Sequence, residues 1–286
     1  MAKSRYPRSW EWPDKANIAI SVNLAFEAFI RRSQISMGGK PGDGPDPFSL
    51  SYAEYGARSG VWRILDTMDE LGLKGSMSTN GLAAEKYPAI VKTVMEAGHE
   101  IVGHGWANDD LLPRDAPAEV ELKAIQRVCT AIENACGVKP IGWVGPGSYG
   151  SAHTPGLLKS EGFLWNGDES ADDLPYLRET EHGPIVVMPR VNLPHNDLGM
   201  WLRANNPPSV IFDGFKDTFD QLYREGENGS PKWTEITIHC HIGGRPTMTP
   251  TIRRCMEYAK GHSGVWFALK RDIAKWAFDR ETKKKK

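Results

Sequence analysis

From residue 16 to residue 278, short apolar runs alternate with segments of helical periodicity, and this alternation limits the fold more than any other feature of the chain. Residues 16–24, apolar and β-branched after Pro13, read as a buried strand. Lys74 to Thr79, Glu100 to Gly103, Pro140 to Val144, Phe163 to Trp165, residues 185–188, Glu235 to Cys240 and Val265 to Ala268 read the same way. Helical stretches separate them. Residues 58–71 carry Val61, Leu65, Met68 and Leu71 on one face, and residues 116–136 bury Ile125, Val128, Ile132 and Cys136. Ala83 to Ala97, Leu157 to Ser160, Lys216 to Arg224, Pro250 to Lys260 and Arg271 to Phe278 complete the set. Such alternation argues for an α/β fold, a parallel sheet with crossover helices, either open or closed into a barrel. A doubly wound nucleotide-binding sheet needs a glycine-rich turn after its first strand, and Ala25-Phe26-Glu27-Ala28 is not one. Polar residues instead cluster just after the strands, at Glu27, His104, Asn108, Asp168, Asn196, Asp197, His239 and Arg245. That favours a barrel whose strand ends converge on one site.

No repeat, low-complexity linker or composition break divides the chain, so residues 1–286 read as one domain with a short N-terminal arm and a basic C-terminal tail. A net charge of -1 gives no electrostatic case for nucleic acid or an anionic membrane as partner. No apolar run approaches the roughly 20 residues of a membrane span. Met1 to Trp12 lacks the apolar core of a signal peptide, so a cytoplasmic location is expected. The four cysteines form no CxxC pair and suit free thiols. A small-molecule substrate is expected, and homo-oligomerisation by base rate alone. Residues 33–49 are rich in Gly, Pro, Asp and Ser and form a loop long enough to be functional. No Gly-Lys-Ser/Thr follows Gly38-Gly39, which rules out a phosphate cradle there. Lys283 to Lys286 read as a solvated tail.

The stretch Ala97 to Asn108 begins with a glycine suited to a helix end, runs through a short strand and finishes in a polar turn. His104 and Asn108 lie four apart, so one helical turn would aim both side chains into one cavity. His99 reads as an ordinary turn histidine. His99-Glu100-Ile101-Val102-Gly103-His104 resembles the metal-motif strand of the polysaccharide-deacetylase superfamily, and Gly142 to Gly147 is similar to its arginine-proline-glycine motif. Leu157 to Phe163 resembles the helix that follows. Asp172-Asp173-Leu174-Pro175-Tyr176, Asn196-Asp197-Leu198, Ile238 to Pro246 and Val265 to Ala268 resemble its allantoinase and cyclic-imide-hydrolase branch. The likeness runs from about Trp10 to Phe278.

That resemblance implies a distorted (β/α) barrel of about seven strands with the site at the strand C-terminal ends. It also implies hydrolysis of a carbon–nitrogen amide bond. Metal-dependent members of the family use an Asp pair, one base and one ligand, two His spaced as His-x-x-x-His, and a late His as general acid. Here the base position is Ala25, the ligand Asp is Glu27, the second His is Asn108 and the arginine is Val144. Glu27, His104 and a neutral Asn108 make a poor set for a catalytic zinc, which wants three charged or imidazole ligands and an open position. A divalent metal is therefore not expected, and the cofactor stays unknown.

Hydrolysis needs an activated water, stabilisation of the tetrahedral oxyanion and a proton for the departing nitrogen. Glu27 is the candidate base or metal ligand, and burial beside Phe26 and Phe29 is expected to raise its pKa. A salt bridge to Arg31 or Arg32 is its alternative. His239 is the candidate general acid, with His104 beside it; His241 would point the other way in a regular strand. Arg245, Asn196, Asp197, Asp173 and Trp106 are candidate substrate contacts, with Asp168 and Asp172 extending an acidic patch. Trp10, Trp143, Trp165 and Trp201 read mainly as core. The leading function is hydrolysis of a small cyclic amide, imide or ureide. A carbohydrate or peptidoglycan N-deacetylase, and a binding protein that has lost its chemistry, are the alternatives.

Overall fold

A computed structural model describes residues 10–35, 44–191 and 196–283. The Gly38-Gly39 pair, most of the N-terminal arm and the lysines beyond Lys283 lie outside those residues. Among the described residues nine strands form one sheet: β1 (Ile18–Phe26), β2 (Ser76–Thr79), β3 (Glu100–Gly103), β4 (Gly142–Trp143), β5 (Trp165–Asn166), β6 (Tyr176–Arg178), β7 (Ile185–Val187), β8 (Lys232–His239) and β9 (Val265–Phe267). Their spatial order is β6-β7-β5-β4-β3-β2-β1-β8, with β9 on β1. Every pairing is parallel except β6 with β7. The two edges, β6 and β8, do not pair as strands; a hydrogen bond of 3.3 Å from the Trp233 N–H to the Asp173 carbonyl crosses the gap. The barrel is thus open at one seam, and among the described residues the strands of this distorted (β/α) barrel number nine against about seven expected.

Strand β1 organises the sheet. One of its edges takes β8 along Ile18 to Ala25; the other is shared between β9, on Ile18 to Ile20, and β2, on Asn23 to Phe26. All nine of its residues are buried, and the two faces differ in kind. Ile18, Ile20, Val22, Leu24 and Phe26 pack outward against the helices, while Ser21, Asn23 and Ala25 alternate with them. The helices are α1 (Pro47–Tyr55), α2 (Val61–Glu70), α3 (Gly81–Lys86), α4 (Pro88–Glu96), α5 (Ala118–Cys136), α6 (Thr154–Ser160), α7 (Ser209–Glu227), α8 (Thr249–Lys260) and α9 (Lys270–Lys283). The stretch expected as one helix from Ala83 to Ala97 is two, broken at Tyr87 (φ -133°, ψ 52°) because the residue before a proline is steered out of the helical region. A second core (Val102, Val144, Trp165, Val186, Trp233) lies apart from the outer one, with Trp10, Trp12 and α9 packed on it. Among the described residues no helix is long and apolar enough to cross a membrane, and all four cysteines are buried free thiols.

Candidate active site

The strand C-terminal ends deliver the side chains. Glu27 follows β1 by one residue and is buried; the Ala28 N–H beyond it donates to Asn80 Oδ1 at 2.9 Å. His104 follows β3, its N–H bonded to the Thr79 carbonyl at 3.1 Å. The His104 Nδ1 lies 2.5 Å from the Val144 carbonyl, which can only accept. Its Nε2 is therefore the nitrogen that faces Glu27 Oε1, at 3.3 Å. His239 closes β8. Its backbone N–H donates to Asp197 Oδ2 at 2.8 Å, its Nδ1 lies 2.7 Å from Asp197 Oδ1, and its Nε2 stands 3.8 Å from Glu27 Oε1. Both imidazoles thus converge on one carboxylate oxygen.

The other oxygen of Glu27 is held from behind. Gln34 Nε2 donates to Glu27 Oε2 at 3.1 Å, and Gln34 Oε1 accepts from His241 Nε2 at 3.0 Å. The expectation that His241 points away assumed that β8 continues. It stops at His239, where the Ile242 and Gly243 N–H groups turn back to the His239 carbonyl. The turn brings His241 Nδ1 to 3.9 Å from Glu27 Oε2.

These neighbours reverse the expected titration of Glu27. Burial pushes its carboxyl up, but His239, His104 and His241 outweigh burial and hold it well below the ordinary carboxylate range. For His239, burial works against the imidazolium; the carboxylates of Asp197 and Glu27 prevail and lift its pKa above the ordinary value of 6.5. Burial brings His241 down to about 4. Asp168, whose Oδ1 accepts from the Gly145 N–H at 2.7 Å, is pushed up to about 6 by burial.

A cavity of about 450 Å³ opens over Glu27, His104 and His239, with Asn23, Ser78 and Thr237 also in its lining. Asn108 and Asn196 line it too. Asn108 reaches it without a helical turn, since the chain from His104 to Asn108 bends through Gly105 at φ 62°. Among the described residues the Asn108 Oδ1 is buried with no partner, whereas Asn196 Oδ1 accepts the Gly199 N–H at 2.7 Å.

Several expected contacts lie elsewhere. Asp197 is fully buried behind His239 and does not line the cavity. Arg245 anchors a loop: its guanidinium sits 3.6 Å from the Tyr52 ring centre and its Nε donates to the His241 carbonyl at 2.9 Å. Asp173 lies beside Lys232 and Trp233, at the opposite end of β8 from His239. Trp106 lines a neighbouring hollow. Glu27 forms no ion pair with Arg31 or Arg32, whose backbone N–H groups are taken by Asp109 at 2.7 Å and 2.9 Å. His99 is the expected structural histidine, its Nδ1 accepting the Gly75 N–H at 3.0 Å. Gln34 and Arg190 also belong to the cavity and escaped the sequence reading. Arg190 stands three residues beyond β7, where a search of strand ends could have found it; Gln34 sits in a loop with no periodicity to mark it.

The ligand set Glu27, His104 and Asn108 does not fit a divalent cation. Among the described residues, no group of three His, Cys, Asp or Glu side chains is arranged to hold one. Glu27 and His104 already face each other, and Asn108 adds a neutral amide where a third charged or imidazole donor is needed.

The family model for polysaccharide deacetylase matches residues 43–163. A solved structure of PuuE allantoinase is 31% identical with a TM-score of 0.84, covering 95% of this chain and 93% of that one. A Pseudomonas aeruginosa PAO1 structure described as a probable polysaccharide deacetylase is 29% identical, TM-score 0.84, over 95% and 94%. The peptidoglycan deacetylase of Helicobacter pylori is 24% identical over 87% of this chain and 93% of its own. An identity of 31% carried along nearly the whole of both chains, on one fold, settles the kinship: this chain belongs to the polysaccharide-deacetylase superfamily.

Proposed function

We propose that this protein hydrolyses a carbon–nitrogen bond in a small cyclic amide, imide or ureide. The observation that carries this reading is the array Asp197–His239–Glu27–His104, set against a cavity of about 450 Å³. That volume is in the range of small-molecule sites, which run from about 300 to 1,000 Å³. The buried, unpartnered Asn108 Oδ1 wants a donor, and the N–H of an imide or ureide ring supplies one.

In this mechanism His239 starts protonated and Glu27 starts ionised, which is the proton inventory an acid–base pair needs. Water attacks the ring carbonyl, forming the new carbon–oxygen bond while its proton passes to Glu27 Oε1. Collapse of the tetrahedral intermediate breaks the carbon–nitrogen bond, and His239 Nε2 gives its proton to the departing nitrogen. The two transfers assist each other. A carboxylate held far below its usual pKa is a poor base, but the His239 charge is the strongest of the influences depressing it. As that charge leaves, Glu27 becomes basic. The proton then returns from Glu27 to His239, 3.8 Å away, through one water or as the two side chains close that gap, and the next cycle begins. His104 steadies the carboxylate, and Asp197 fixes the His239 tautomer and orientation.

Ring opening of hydantoin, allantoin, succinimide and a dihydropyrimidine tests this directly. At least one ring should open with wild-type protein, and Glu27→Gln and His239→Ala should each lose about 10²–10⁴-fold in kcat. Acetate released from an acetylated chitooligosaccharide, with no ring opened, would replace this reading with the deacetylase one. Ligand binding with no turnover in any variant would make the protein a binder.

A further inference from the structure

A second hollow of about 310 Å³ adjoins the catalytic cavity, and its walls are of a different kind. Trp106, Trp143, Tyr149 and Ile125 give it an aromatic and aliphatic lining. Leu111 and Val120, both in that lining, are 45% and 46% exposed, so the hollow brings two exposed apolar side chains together with its rings. Arg127 lies over the Trp106 ring, and Arg114 lies over Tyr149 at 4.2 Å from its centre, so both rings are held in fixed orientations.

Leu111 and Pro146 line both spaces, which adjoin along these two residues. The same loops furnish each side in turn. His104 faces the catalytic cavity and Trp106 the hollow; Gly147 faces the first and Tyr149 the second. Gly105 makes the first switch. Its φ of 62° suits glycine, and a Cβ there would stand 2.8 Å from Pro146 Cδ. The hollow is thus built into the loops that carry His104 and its Val144 partner.

We propose that this hollow is a substrate subsite that receives an apolar arm attached to the ring being opened next door. The substrate class narrows accordingly, to cyclic imides or ureides bearing a hydrocarbon or aryl substituent. This rests on the ring-opening reading above and deepens it.

The test compares succinimide with 2-benzylsuccinimide. In wild type, kcat/KM for the benzyl compound should exceed that for succinimide at least tenfold, the scale of discrimination an apolar pocket gives. Ala124→Phe, on the α5 side of the hollow, fills the space and should bring that ratio close to one. Val120→Trp does the same from an exposed position, should the first variant fold poorly. A ratio near one in wild type, or a ratio unmoved by either filling variant, overturns the proposal. Tryptophan emission separates this outcome from failure of the hydrolase reading, because it needs no turnover and Trp106 and Trp143 line the hollow. 2-Benzylsuccinimide should shift the emission of Glu27→Gln protein where succinimide does not, and Ala124→Phe should abolish the shift. If no ring opens and the shift persists, the subsite stands and the reaction falls. Sedimentation that shows a dimer dissociated by Val120→Asp assigns the hollow to a second copy of the chain and overturns the subsite.

Discussion

His239 has a carboxylate on each side, Asp197 at 2.7 Å from Nδ1 and Glu27 at 3.8 Å from Nε2, and its behaviour follows from that sandwich. Its pKa is raised, so the stabilisation it contributes is complete below the ordinary value of 6.5 and fades as pH climbs through the folded value. Glu27 has the opposite sign: its contribution is complete above 4.5 and disappears as pH falls through the depressed value. Both are in full force together only between 4.5 and 6.5. Asp197→Asn removes the nearer charge and lets burial act on the imidazole. The alkaline limb of kcat/KM should move to lower pH, with the His239 resonance titrating lower in NMR; a limb that stays in place contradicts a positioning role for Asp197. At this scale the sequence named Glu27, His104 and His239 correctly as neighbours, since each ends a recognisable strand. It misassigned Asp197 because nothing in a linear chain says that residue 197 lies behind residue 239. The sign of the Glu27 shift was lost for the same reason: Phe26 and Phe29 are visible as neighbours in sequence, and three imidazoles from distant segments are not.

Among the elements, the turn after β8 depends on a glycine seam. The π-helical turn Gly56–Gly60, between α1 and α2, lies against residues 240–244 at backbone contact. A Cβ on Gly60 would stand 1.9 Å from the Cys240 carbonyl oxygen, and one on Gly244 would stand 2.4 Å from Gly60 Cα. Gly60→Ala therefore has to push α2 away from the segment that holds His239 and His241. A loss of about 1–3 kcal/mol is expected from such overpacking, together with a fall in kcat; denaturant midpoints and turnover measure the two, and an active variant of unchanged stability would show that the seam is slack. The elements the sequence missed are those without a periodic signal. Helix α1 carries no apolar stripe, and Phe48 on it is 62% exposed. Strand β6 has three residues, lies antiparallel at the sheet edge and has no buried face. Long buried strands and α5, with its apolar spacing and terminal Gly137 at φ 77°, were legible because pattern and environment agree.

Across the whole molecule, a run of polar side chains crosses the barrel interior from the catalytic end to the floor, beside the apolar core of Val102, Val144, Trp165, Val186 and Trp233. Ser78 Oγ donates to Asn23 Oδ1 at 2.9 Å in the middle layer, and Ser76 Oγ donates to Glu100 Oε2 at 2.6 Å below it. Helix α9 is tied into that floor: its Lys270 N–H donates to Ser76 Oγ at 2.9 Å and its Arg271 N–H to Glu100 Oε2 at 3.0 Å. The Lys270 ammonium lies 2.6 Å from Glu235 Oε2, with both side chains almost wholly buried. Burial raises the Glu235 pKa, but Lys270 and Arg190 overcome it and hold the carboxylate below its ordinary range. Lys270→Met takes the ammonium from that carboxylate and leaves Arg190 at 3.8 Å. Removing one partner of a buried pair costs about 3–5 kcal/mol, far more than the pair's own net worth. The wild-type contribution of Glu235 is present above 4.5 and lost as pH falls, so the gap between variant and wild type should be wide at neutral pH and narrow toward acid. Adding Glu235→Gln to Lys270→Met removes the carboxylate charge and should recover part of the loss at neutral pH. Urea unfolding of the three proteins at pH 3.5 and pH 7.5 measures all of this. A single variant as stable as wild type at neutral pH would mean that water reaches the floor, and that α9 does not seal the barrel from below.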